Sequence, residues 1–83
     1  SVVAVDKYRP AVNEKYLITL LRKDENVTEQ EVIKFKNDKK DEKAQFGILI
    51  TTSLFEENAV KAVKEEDKIT FIDKINIYEL LGG

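Results

Sequence analysis

Hydrophobic and polar positions follow one another in blocks along the chain, and four short apolar blocks rich in β-branched residues predict four β-strands. These blocks span residues 1–8, 15–23, 47–53 and 68–73. The second is a nearly continuous apolar run, which is typical of burial on both faces, and the third also lacks alternation and is expected to be central in a sheet. A turn-like connection with Pro10 joins the first two blocks, so these strands are expected to pair as a hairpin.

Polar capping signals predict three helices among these strands. Thr28 and Glu31 form an S/T-x-x-E capping box, which places the start of a helix directly after Thr28. Ser53 and Glu56 repeat the pattern after the third strand, so the Ser53 hydroxyl is expected to cap the second helix. Asp73 is expected to cap a short last helix, which ends at two glycines.

The resulting order of elements is β-β-α-β-α-β-α. This order predicts an α/β fold in which a small mixed sheet is flanked by helices and joined by right-handed crossovers. The chain has 83 residues and is expected to form a single domain, residues 1–83, with a modest core. It begins at Ser1 and contains no methionine, so we expect it to be a piece of a longer protein.

Composition excludes several kinds of chemistry. The chain has no cysteine and no histidine, which excludes disulfides, thiol catalysis and histidine-based metal or catalytic sites. Its formal net charge of −2 gives no overall attraction to nucleic acid or to anionic membranes. There is no apolar run of membrane-spanning length and no signal-peptide pattern, so we expect a cytoplasmic or nuclear protein that is not secreted and has no membrane partner.

Residues 36–43, KNDKKDEK, form the densest charged run of the chain. Such a run is either a solvated helix end or a basic contact patch. Because acidic residues are interleaved with the lysines, the sequence favours the solvated helix end.

Three hydroxyl side chains, Thr51, Thr52 and Ser53, stand where the third strand ends. In open α/β sheets, ligands bind at the carboxyl ends of the strands, so these residues are candidate ligand contacts. Helix capping and the β-propensity of threonine also account for them without any ligand.

One pattern extends over most of the chain. The segment GILITTS at residues 47–53 is followed at fixed distances by Phe55, Ala59, Ile72, Asp73, Leu80 and Leu81. It is preceded by Tyr16, Leu17, Ile18, Val27, Thr28, Val32, Lys34 and Phe35. Over residues 3–81 this pattern resembles the Mrr-like branch of the restriction-endonuclease-like, or PD-(D/E)xK, fold.

The resemblance implies metal-dependent hydrolysis of phosphodiesters. Such a site has an Asp on one strand, and Glu or Gln followed two residues later by Lys on the next; the carboxylates hold Mg²⁺ and the Lys stabilises the developing charge. Asp6 matches the Asp, but Thr19 stands at the Glu or Gln position and Leu21 at the Lys position. Lys23 returns to the face of Leu21, roughly 6–7 Å farther along the strand.

These departures favour a catalytically inactive nuclease-fold domain that acts as a binding or scaffolding module and needs no cofactor. Its candidate contact residues are Asp6, Lys23, Thr51, Thr52 and Ser53. The expected partner is another protein or a domain of the parent chain, with DNA or a second copy of the chain as further candidates.

Two alternatives stay open at this point. The first is a metal-dependent DNA endonuclease with a rearranged site, in which Asp6 binds Mg²⁺ and Lys23 replaces the missing lysine. The second is an unrelated small α/β module. Strand order tests the second alternative. An Mrr-type sheet places the third strand on one side of the second strand and the first strand on the other side.

Overall fold

A computed structural model describes residues 14–82 in full and the backbone of residues 2–5. The strands are β1 (Val2–Val5), β2 (Lys15–Leu21), β3 (Phe46–Thr51) and β4 (Ile69–Ile72). The helices are α1 (Glu29–Asp41), α2 (Glu57–Lys61) and α3 (Lys74–Leu80), with a 3₁₀ turn at Glu65–Asp67. This order confirms the predicted α/β sequence of elements. None of the described helices is both long and apolar enough to cross a membrane.

The sheet is mixed, with the strand order β1-β2-β3-β4. β1 pairs with β2 in the antiparallel direction, while β2, β3 and β4 run parallel to one another. β3 therefore lies beside β2, and β1 lies on the far side of β2, as the restriction-endonuclease-like interpretation requires. Leu21 pairs with Thr51, so β2 and β3 end side by side at one edge of the sheet.

The hydrophobic core lies between one face of the sheet and the helices α1 and α2. Leu17 of β2 and Leu49 of β3 are each 1% exposed and pack with Val32 and Phe35 of α1. Gly47 of β3 is required for this packing, because a Cβ atom there would lie 2.8 Å from the Phe35 ring. The phenyl ring thus rests directly on the backbone of the central strand.

The opposite face of the sheet is more open than the sequence predicts. Leu20 of β2 is 51% exposed, so the expectation that this strand is buried on both faces is wrong. Ile18, Ile48 and Ile50 on the same face are half-buried. The apolar run in β2 reflects a buried face toward α1 and a partly solvated face behind it.

Two of the three predicted helix caps are confirmed. The Glu31 amide donates to the Thr28 hydroxyl, and the Thr28 amide donates to Glu31 Oε1 at 3.1 Å, which completes the capping box of α1. At the start of α3, Asp73 Oδ1 accepts hydrogen bonds from the amides of Ile75 and Asn76 at 2.9 and 3.0 Å.

The predicted cap at Ser53 is wrong, because α2 begins at Glu57 and its N-cap residue is Glu56. The intervening residues pair with the segment before α1: the Val27 amide donates to the Leu54 carbonyl at 2.7 Å, and the Glu56 amide donates to the Val27 carbonyl at 2.9 Å. This pairing keeps the chain extended past Ser53 and delays the helix by three residues.

Replacing Thr28 by Ala should lower the free energy of unfolding by about 1 kcal/mol, because the first turn of α1 loses its side-chain cap. Urea denaturation followed by circular dichroism measures the change. Gln30→Ala, an exposed substitution in the same helical turn, is the control and should leave the urea midpoint nearly unchanged. Equal midpoints for Thr28→Ala and the unaltered domain would contradict the capping assignment.

Candidate functional site at the carboxyl edge of the sheet

The carboxyl ends of β2 and β3 bring four of the five predicted contact residues together. Lys23 follows β2, while Thr51, Thr52 and Ser53 end and follow β3. The fifth, Asp6, lies outside the described residues. This convergence follows from the parallel register of the two strands, which the sequence alone does not define.

Thr51 and Ser53 form a buried hydroxyl pair. The two side chains are 0% and 2% exposed, and their oxygens lie 2.7 Å apart. Thr51 Oγ1 also accepts a hydrogen bond from the Ser53 amide at 3.1 Å. Each hydroxyl therefore stabilises the turn after β3, and contact with a ligand would require this turn to open.

Thr52 joins the ends of the two strands. Its exposed hydroxyl accepts a hydrogen bond from the Lys23 amide at 2.9 Å and donates to the Lys23 carbonyl at 3.0 Å. The Thr52 amide donates to the Leu21 carbonyl at 3.1 Å. Thr52 thus extends the pairing of β2 and β3 by side-chain bonds where the regular ladder stops.

The ammonium group of Lys23 is bound to the start of α1. Lys23 Nζ lies 2.5 Å from Glu31 Oε1, the same oxygen that completes the capping box with Thr28. The hydrogen bond from Lys23 holds the pKa of the Glu31 carboxyl below its ordinary value of 4.5; burial opposes this effect, and the bond from the Thr28 amide adds to it. Lys23 and Glu31 therefore form a partly buried ion pair that links β2 to α1.

A small cavity of about 190 Å³ lies between β2 and α1 beside this ion pair. Leu21 borders it, and the apolar side chains of Phe35 and Leu49 form part of its wall. Two carboxylates face the same space, and each is already paired: Glu31 with Lys23, and Asp38 with Lys34 at 3.0 Å.

Comparison with known proteins identifies the family of this chain. A family model described as a restriction endonuclease, the Mrr catalytic type, matches residues 2–81. The chain belongs to the Mrr-type restriction endonuclease family. Neither the curated proteins nor the solved structures give a significant match. Together with the strand order, membership of the Mrr family overturns the alternative of an unrelated α/β module.

In this Mrr-type domain, Thr19 and Leu21, which the sequence predicts to stand at the positions of the catalytic pair, both lie on the core face of β2. Within residues 14–82, no group of three acidic side chains is arranged to hold a metal ion.

Sequence reasoning missed the partners of the charged side chains in the Mrr-type site. Lys23 and Glu31 lie eight residues apart with a change of direction between them, so no regular spacing links them. Lys34 and Asp38, in contrast, have the i, i+4 spacing of a helical ion pair, and this signal was present in the sequence.

Replacing Thr51 by Val keeps the side-chain shape but removes the hydroxyl that satisfies Ser53. We expect the free energy of unfolding to fall by about 1–3 kcal/mol, since the Ser53 amide is left buried without its acceptor. The same measurement on Thr70→Val, an exposed threonine of β4, provides the control. A loss no larger than that of the control would show that the hydroxyl pair does not stabilise the turn.

The Glu31 ion pair should make the stability of the domain depend on pH. Because the folded state lowers the pKa of Glu31, its contribution is fully present above pH 4.5 and is lost as the pH falls through the folded value. Urea titrations of the unaltered domain and of Glu31→Gln should therefore differ most near neutral pH and converge in acid. Lys23→Met should reproduce this behaviour. A difference that stays constant between neutral and acidic pH would contradict the ion pair.

Proposed function

We propose that this Mrr-type domain is a catalytically inactive member of its family that acts as a binding or scaffolding module in a nucleic-acid-processing protein. The observation that carries the proposal is Leu21. An aliphatic side chain, packed against the hydrophobic core, stands where the family chemistry requires a cation. It can neither stabilise the charge of a phosphoryl transition state nor transfer a proton.

The environment of Lys23 supports the same conclusion. A lysine that replaced the missing catalytic residue would have to direct its ammonium group toward a bound phosphate. Lys23 instead neutralises Glu31, and withdrawing it would leave a partly buried carboxylate unpaired. The ion pair therefore opposes the endonuclease alternative, in which Lys23 takes over the catalytic role.

The acidic side chains near Leu21 do not suit a divalent cation. Mg²⁺ requires carboxylate oxygens that are free to coordinate it, whereas Glu31 and Asp38 each form an ion pair with a lysine. A cation at either carboxylate would be repelled by the adjacent lysine. We therefore propose no metal cofactor, and the alternative site would depend on Asp6 together with groups from elsewhere.

A protein surface is the proposed partner, either a separate protein or a neighbouring domain. Support comes from α3, whose apolar side chains are largely exposed: Ile75 is 54%, Tyr78 is 63% and Leu80 is 79% exposed. Such side chains gain more from contact with another apolar surface than from contact with a phosphate backbone. The net charge of −2 likewise gives no general attraction to DNA.

Incubation of the purified domain with supercoiled plasmid DNA and Mg²⁺ or Mn²⁺ tests the proposal. We expect no nicked product above the level given by an Asp6→Ala variant prepared in parallel. Nicking that requires the metal and disappears in Asp6→Ala would refute the inactive assignment and establish the endonuclease alternative. Nicking that both preparations share would identify a contaminating nuclease.

A further inference from the structure

The charged run at residues 36–43 covers the last turns of α1, which ends at Asp41, and the two residues after it. Lys36, Lys39 and Lys40 have the i, i+3 and i+4 spacing that brings side chains to one side of a helix, and Lys43 directly follows the helix cap Glu42. Two of the three acidic side chains of the run pair with lysines outside it, Asp38 with Lys34 and Glu42 with Lys15. The interleaving that favours a solvated helix end in the sequence thus becomes a lysine face in the structure.

This lysine face lines a cleft of about 520 Å³. The cleft lies between the carboxyl end of α1 and the start of β4, and its charged lining consists of Lys36, Lys39, Lys40, Lys43, Glu66 and Asp67. Four lysines and two acidic residues therefore line the cleft, a local excess of two positive charges in a domain whose net charge is −2. Ala44 and Ile69 add an apolar part to the lining.

Three of the four lysines, Lys39, Lys40 and Lys43, have no ion-pair partner within the part of the chain that the structure describes. Lys36 is bound on the cleft wall, with its ammonium group 3.2 Å from Asp67 Oδ2 and 2.9 Å from the Ala62 carbonyl. Lys40 and Lys43 are also exposed. The carbonyl groups at the end of α1 offset part of this positive charge.

Lys43 lines the cleft and has a backbone conformation that is unfavourable for lysine. It adopts the left-handed conformation, with φ of 56°, directly after the helix cap Glu42. The amides of Lys43 and Ala44 donate to the carbonyls of Lys40 and Lys39, which is a Schellman helix end whose left-handed position usually carries glycine. The chain thus carries a cation beside the cleft where glycine is the conformationally favoured residue.

We propose that this cleft binds a short phosphate-bearing anion of the size of a nucleoside diphosphate. Lysine ammonium groups bind phosphate oxygens, and the cleft volume lies in the range of small-ligand sites. A long phosphate backbone fits less well, because Glu66 and Asp67 line the cleft itself and Glu65 and Glu66 line the neighbouring surface. The site lies at the opposite end of α1 from Thr28, so it does not depend on the function proposed above.

Titration of the isotope-labelled domain with ADP and with pyrophosphate, followed by NMR, tests the proposal. Both ligands should shift the amide signals around residues 39–44 in a saturable way that weakens with added salt. The combined substitution Lys40→Gln with Lys43→Gly should weaken binding by about tenfold or more, since two of the three lysine charges without an ion-pair partner are removed. Tighter binding of ADP than of pyrophosphate would assign a nucleotide, and equal binding would assign the phosphate groups alone.

Two controls separate the loss of a binding site from general effects. Lys61→Gln removes an equivalent positive charge from α2, outside the cleft, and should leave the affinity nearly unchanged. Lys43→Gly alone should weaken binding without lowering the unfolding midpoint, because glycine relieves the left-handed conformation. The proposal fails if pyrophosphate gives no saturable shift at millimolar concentration, or if Lys61→Gln weakens binding as much as the cleft variants. Preferential binding of duplex DNA at these residues would also overturn it.

Discussion

The ion pair between Lys23 and Glu31 joins the end of β2 to the start of α1 at the carboxyl edge of this Mrr-type domain. The Lys23 backbone is bound by the Thr52 hydroxyl, and its ammonium group is bound by the carboxylate that caps α1. One residue therefore connects the end of β2, the turn after β3 and the first turn of the main helix. The polar side chains at this edge form hydrogen bonds and an ion pair with one another. The residues predicted to contact a ligand therefore hold β2, β3 and α1 together.

Under the proposed function, the same edge is where a nuclease scaffold persists without its reaction. Hydrolysis at such a site requires a cation and carboxylates that remain free for the substrate and the metal. Here Leu21 contributes to the core, and the nearby acids Glu31 and Asp38 are neutralised by lysines. Packing and ion pairing thus stabilise the fold at this edge, and the proposal of an inactive domain rests on that use of its side chains.

Local signals in the sequence predicted much of the fold. The caps at Thr28 and Asp73 depend on residues two or three positions away, so their patterns could be read directly. Ser53 carried the same pattern, yet pairing between Val27 and Phe55 kept its segment extended. That competing contact spans 28 residues and leaves no local trace.

Side-chain partners at the site were less predictable, for the same physical reason. The Lys23–Glu31 pair and the lysine cleft arise only when β2, α1 and the 3₁₀ turn are brought together. Periodicity could place lysines on one side of α1, but it could not show that a second element faces them. Leu20 shows the opposite kind of error. The apolar run predicted that a second layer packs on its face of the sheet, but the described helices leave its side chain 51% exposed.

Paramagnetic broadening by Mn²⁺ tests most directly whether the acidic side chains at this edge are paired with lysines or free to bind a metal, since it reports metal proximity residue by residue. At low millimolar Mn²⁺, the amide signals of Leu21, Lys23 and Glu31 should lose no more intensity than those of exposed acidic turns elsewhere in the domain. Selective loss of these three signals, reversed by a chelator, would show a metal bound where the account places only paired side chains, and would contradict it.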